Sequence, residues 1–81
     1  MEPAVAFGKV LRQLRQDAGM TQEALGFEAE LRRTYVSILE LGQQQPSLST
    51  ILKLAKALNH SGGAIVGLVE AELTRSTKRK R

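Results

Sequence analysis

Residues 21–46 read T-Q-E-A-L-G-F-E-A-E-L-R-R-T-Y-V-S-I-L-E-L-G-Q-Q-Q-P. Thr21 is a good helix N-cap, because its hydroxyl can accept one of the orphan N–H groups of a first turn. Residues 22–29 then form a short helix, with Leu25 turned inward and Gly26 leaving room for another backbone. Glu30-Leu31-Arg32 makes a tight connection. Residues 33–41 form the next helix, with Val36 and Leu39 inward, and Gly42 ends it as a C-terminal glycine. Gln43-Gln44-Gln45-Pro46 is a polar loop. Two short helices joined this tightly are a supersecondary unit that fixes the rest of the chain around it.

Working outward, the same signals recur. Upstream, residues 5–18 read as a helix, with Phe7, Val10, Leu11 and Leu14 at helical spacing and Gly19 as its stop. Downstream, Ser47 can cap a helix over residues 48–58, with Leu48, Ile51, Leu52, Ala55 and Leu58 on one face. Asn59-His60 is a turn. Ser61 can cap a fifth helix that runs to about residue 73, with Ile65, Leu68, Val69 and Leu73 as its stripe. No segment alternates as a strand does. The expected fold is all-α, a compact five-helix bundle with the two-helix unit at its centre.

At 81 residues the chain is one small domain, and dimerisation would add burial to a marginal core. It has no cysteine, so disulfides and thiolate metal sites are excluded. No apolar run reaches a membrane span, and Met1-Glu2-Pro3 lacks the basic start of a signal peptide. A cytoplasmic, nucleoid-associated location is expected. The formal charge is +4, but Arg75, Lys78, Arg79, Lys80 and Arg81 crowd the last seven residues, which leaves residues 1–74 at −1. The expected organisation is therefore a folded domain over 1–74 and a disordered basic tail over 75–81, serving as a solubilising segment or a nonspecific DNA contact. Any nucleic-acid binding by the body must come from local clustering.

That clustering lies on the third helix. Arg33, Thr34 and Ser37 share its outward ridges and all hydrogen-bond. Arginine can chelate guanine O6 and N7, and the hydroxyls can reach bases or phosphates, so the helix suits a DNA major groove. Arg33 as a plain solvated charge is the alternative. His60 is the one histidine and reads as a solvated turn residue. With no phosphate-binding glycine loop, no metal-spaced cluster and no acid–base pair assembled around Glu28 and Glu30, an enzyme, a cofactor and a bound metal are not expected. No small-molecule effector is evident.

The runs L-R-Q-L-R-Q-D-A-G-M-T-Q-E-A-L (11–25), R-T-Y-V-S-I-L-E-L-G (33–42) and P-S-L-S-T-I-L-K-L-A-K-A-L (46–58) together resemble the phage Cro/repressor helix-turn-helix, or xenobiotic-response-element, family. The run Arg33-Thr34-Tyr35-Val36-Ser37 looks most like the controller proteins of restriction–modification systems. The resemblance spans roughly residues 7–68. It implies a lambda-repressor-like DNA-binding domain and a transcriptional regulator that binds double-stranded DNA at inverted repeats as a homodimer. It also implies roles for particular residues. Gln22 opens the second helix against a phosphate. Arg32, Arg33, Thr34, Ser37 and Ile38 face the groove, with Tyr35 divided between packing and phosphate. Gln43, Gln44 and Gln45 follow the backbone. Arg15 and Glu40 form an internal ion pair.

The fifth helix would supply the dimer contact through Ile65, Val66, Val69 and Leu73, since it carries more apolar surface than one core face needs. A wide monomer core is the alternative. Two departures stand out. Glu30 occupies a turn position where members usually have glycine, and three glutamines follow Gly42 where members often have lysine or arginine. An antitoxin-like protein or an interaction module that keeps the fold without binding DNA are the competing functions.

Overall fold

The computed structural model describes residues 1–79, with side chains through Ser76. Five helices follow one another, and no strand occurs among the described residues: α1 (Pro3–Asp17), α2 (Gln22–Ala29), α3 (Arg33–Glu40), α4 (Leu48–Ala57) and α5 (Gly62–Arg79). α1 packs on α3 and α5, α2 on α3 and α4, and α4 on α5. One core fills the centre. Leu11, Leu25, Val36, Leu39, Leu54 and Ile65 are fully buried in it. Each such side chain stabilises the fold by about 1.5–3 kcal/mol through lost water contact.

The starts of the helices follow local chemistry. Pro3 opens α1 where its missing N–H costs nothing. The hydroxyls of Thr21, Ser47 and Ser61 accept the N–H groups of Ala24 (3.0 Å), Thr50 (3.2 Å) and Ala64 (3.0 Å). Two stripes differ from the sequence expectation. On α4 the inward residues are Thr50, Leu54, Ala55 and Leu58, with Ile51 half-buried, whereas Leu48 and Leu52 point out at 71% and 52% exposure. Thr50 is tolerated inside because its hydroxyl accepts from Ser47 Oγ at 3.1 Å. On α5 Ile65 and Val69 are buried and Leu73 packs partly against the same core, as expected, whereas Leu68 points out at 43% exposure.

α5 also runs past its expected end near Leu73. Its backbone is helical through Arg79, where a disordered tail over 75–81 was expected. No glycine or proline after Leu73 stops it, and Arg75 pairs with Glu72 on the helix surface. Of the expected tail, Lys80 and Arg81 lie outside the described residues.

Glu30 closes α2 with φ 60°, in the left-handed region. A side chain there costs about 1–2 kcal/mol, and glycine would remove that cost while gaining freedom in the unfolded chain. Glu30→Gly is therefore expected to stabilise by about 0.5–1 kcal/mol net, raising Tm by roughly 3–6 °C. A thermal melt with no change or a fall would show that Glu30 holds the turn by contacts of its own.

Candidate nucleic-acid interface

The turn between α2 and α3 is set by a close backbone crossing. The Leu31 N–H donates to the Gly26 carbonyl at 2.7 Å, and a Cβ on Gly26 would lie 2.7 Å from the Leu31 oxygen. Only glycine fits there. The crossing fixes the angle at which α3 leaves the turn. Val36 and Leu39 then anchor the inner face of α3 in the core.

The outer face stays free. Arg32, Arg33 and Thr34 are exposed, and Ser37 and Ile38 are partly exposed beside them. The side chains of Arg32, Arg33, Thr34 and Ser37 make no hydrogen bond with the rest of the described chain. Residues 31–39 hold two arginines and no carboxylate, so this face is locally basic although the body of the protein is not. Tyr35 is half-buried against the core. Gln43, Gln44 and Gln45 are exposed immediately past α3, where the Gln43 N–H donates to Ile38 O at 3.1 Å. Gly42, at φ 74°, makes the exit possible: a Cβ there would stand 2.9 Å from Val5 Cα.

A charged network ties the unit to α1. Arg15 Nε donates to Glu40 Oε2 at 2.6 Å and Nη2 to Oε1 at 3.1 Å, while Nη1 donates to Met20 O at 2.9 Å. The ion pair expected between Arg15 and Glu40 is thus present. The hydrogen bond that Arg15 donates to Glu40 holds its guanidinium charged, above its ordinary pKa, against the opposing effect of burial. Gln22 joins the network, donating from Nε2 to Glu40 Oε1 at 3.0 Å. It is half-buried, so it does not project freely toward solvent. One of its two amide hydrogens is committed inside the protein and the other is not.

The structure does not gather the four expected dimer residues on one surface. Ile65 and Val69 are buried in the core of the monomer; Val66 is exposed and Leu73 is partly covered. The exposed large apolar side chains of these two helices are Val66 and Leu68 on α5 and Leu48 and Leu52 on α4, of which Leu48, Leu52 and Leu68 were expected on inward stripes. A signal for this patch was present. Residues 41–52 and 57–69 contain no Asp, Glu, Lys or Arg in a chain where a quarter of residues are charged. No His/Cys/Asp/Glu group suited to a metal occurs among the described residues, and no described helix is long and apolar enough to cross a membrane.

A core-anchored second helix held by a glycine crossing, with a bare basic outer face, defines a helix-turn-helix domain. A helix-turn-helix family profile matches residues 11–62, and the chain belongs to that family. It is 47% identical over 53 residues to the control protein C.BamHI of Bacillus amyloliquefaciens, a match covering 64% of this chain and 65% of that protein. It is 37% identical over 60 residues to the immunity repressor protein of Bacillus phage phi105, covering 74% of this chain and 42% of that protein. The chain thus spans less than two thirds of the length of either relative. Among solved structures, the restriction-modification controller protein C.AhdI of Aeromonas hydrophila is 45% identical. It superposes with a TM-score of 0.74 over 76% of this chain and 94% of its own.

Proposed function

We propose that the chain is a sequence-specific transcriptional regulator that binds an inverted-repeat operator as a homodimer, with α3 in the major groove. It would act on bacterial or phage DNA in the cytoplasm. The observation that carries this reading is the outer face of α3. Its arginines and hydroxyls are bare and unbonded, and no carboxylate occurs over residues 31–39, while Val36 and Leu39 are anchored in the core. Likeness to a restriction-modification controller and to a phage repressor supports it.

Arg33, Thr34 and Ser37 read base edges in this arrangement, and Arg32 and Ile38 flank them. Gln22 uses its uncommitted amide hydrogen on a phosphate, oriented by Glu40. Tyr35, Gln43 and Gln44 follow the backbone. With glutamines in place of cations after α3, few counterions are released, and the salt dependence of binding is shallow.

The dimer contact is assigned to the charge-free surface of Leu48, Leu52 and Val66, not to the buried Ile65 and Val69. A neutral apolar patch has nothing to offer phosphate. It suits an identical patch on a second copy related by a two-fold axis.

The deciding experiment is selection of bound duplexes from a random pool. An enriched inverted repeat with half-site centres about one helical turn apart is expected. On that site Arg33→Ala is expected to lose about 1–3 kcal/mol and to relax discrimination at one base pair per half-site. No enriched sequence, or full affinity in the variant, removes the groove assignment. Leu52→Glu buries a charge in the dimer contact and is expected to leave monomers in sedimentation at concentrations where the parent is dimeric. An unchanged dimer would place the contact elsewhere.

A further inference from the structure

Phe27 is 81% exposed, the most exposed large apolar side chain among the described residues. It stands on the outer face of α2 among Glu23, Glu28 and Glu30, all exposed and none paired with a cation. Phe27 shares its ridge with Glu23, one turn before it, and is followed by Glu28 and Glu30, so an apolar side chain stands in water beside a local excess of negative charge. Phosphates are repelled by those carboxylates, so DNA does not explain it.

A second feature is equally unexplained. Between α1 and α5 runs a groove of about 820 Å³ with Val10, Leu14 and Leu68 in its walls and Lys9, Arg12 and Arg75 on its rim. Leu68 is 43% exposed. Arg75 is taken by Glu72, and Asp17 at the groove's end accepts from Gln13 at 2.8 Å. Lys9 and Arg12 have no carboxylate partner.

The two features complement each other in charge: an exposed aromatic ring, the knob, beside unpaired carboxylates, and an apolar groove whose three cations outnumber its two carboxylates. They cannot meet within one chain. Packing runs from α1 to α3, α2, α4, α5 and back to α1, so α2 lies across the bundle from the α1–α5 seam. We infer that Phe27 and its carboxylates dock into the α1–α5 groove of a second copy, in a head-to-tail contact distinct from any two-fold dimer. Such a heterologous contact leaves one knob and one groove open, and adds further copies in line. The inference rests on neither DNA binding nor the α4 patch.

The test is sedimentation velocity of the whole chain, without DNA, at about 50 mM and about 500 mM salt, where the screening length falls severalfold. Species larger than a dimer are expected at low salt and dissolve at high salt. If the two-fold dimer does not exist, growth starts from the monomer instead, and the two readings separate. Phe27→Ala is expected to weaken this association about tenfold or more. Its exposure leaves the fold untouched, which circular dichroism checks.

A charge exchange makes the test specific. Glu23→Arg with Glu28→Arg gives a basic knob and a basic groove. Lys9→Glu with Arg12→Glu gives an acidic knob and an acidic groove. Neither chain alone is expected to form the large species, whereas a mixture restores an association between the two. Three results would overturn the inference: no species beyond a dimer for the parent at low salt, large species that survive Phe27→Ala and both exchanges, or a mixture that associates no better than its parts.

Discussion

Glu40→Ala is expected to destabilise the fold by about 3–5 kcal/mol, the range for removing one partner of a buried ion pair. Glu40 is only 4% exposed at its side chain, and Arg15 13%. The carboxylate accepts two hydrogen bonds from Arg15 and one from Gln22. Alanine would strand a guanidinium and an amide in the interior with only Met20 O left as a partner for Arg15. Domains of this kind have about 5–15 kcal/mol of stability in all, so the variant should be partly unfolded near body temperature. Urea denaturation gives the value, and a loss under 1 kcal/mol would mean that water reaches the site. Replacing both residues by Arg15→Met and Glu40→Leu should recover most of the stability, because an apolar pair needs no hydrogen bonds. It would not restore the anchor of Gln22. On the proposed operator the double variant should therefore bind more weakly than the parent although equally folded.

The second large effect is expected at Gly8. A Cβ there would lie 2.5 Å from Leu39 O and 2.6 Å from Glu40 O. Both are backbone carbonyls at the end of α3, and neither can swing away as a side chain would. Gly8→Ala gains roughly 1 kcal/mol of helix propensity, yet α1 must lift off α3 to admit the methyl. A net loss of about 2–3 kcal/mol is expected, as for an overpacked core. The displacement also strains the Arg15–Glu40 contact, so the two variants should be non-additive when combined. A variant as stable as the parent would mean that α1 and α3 do not approach this closely in solution.

The centre of the fold was legible because its signals agree. Thr21 caps, Gly26 yields to a backbone, Val36 and Leu39 face in, and Gly42 stops the helix; each local choice points the same way. The bare α3 face could be named from the hydrogen-bonding side chains on its outward ridges, and the ion pair through the resemblance alone, since no spacing rule links Arg15 to Glu40. α4 was not legible. Residues 48, 51, 52, 54, 55 and 58 are all apolar, so two stripes fit a helical period and periodicity cannot choose between them. Packing against α2 and α5 chose the stripe through Leu54. On α5, likewise, a rich apolar face did not say which residues the monomer core takes, and it takes Ile65 and Val69. The length of α5 was missed for lack of a stop signal that a reader could place.

The side chains of Arg32, Arg33, Thr34 and Ser37 make no hydrogen bond or ion pair among the described residues. On the proposed reading, the side chains that would read base edges are therefore not the ones that hold the bundle together. Randomising positions 33, 34 and 37 should yield a library in which nearly every member folds, and whose members differ only in what they would bind. If those side chains read the operator as proposed, specificity on this scaffold is a replaceable part, open to reprogramming in the laboratory and to drift in nature without a toll on the bundle beneath.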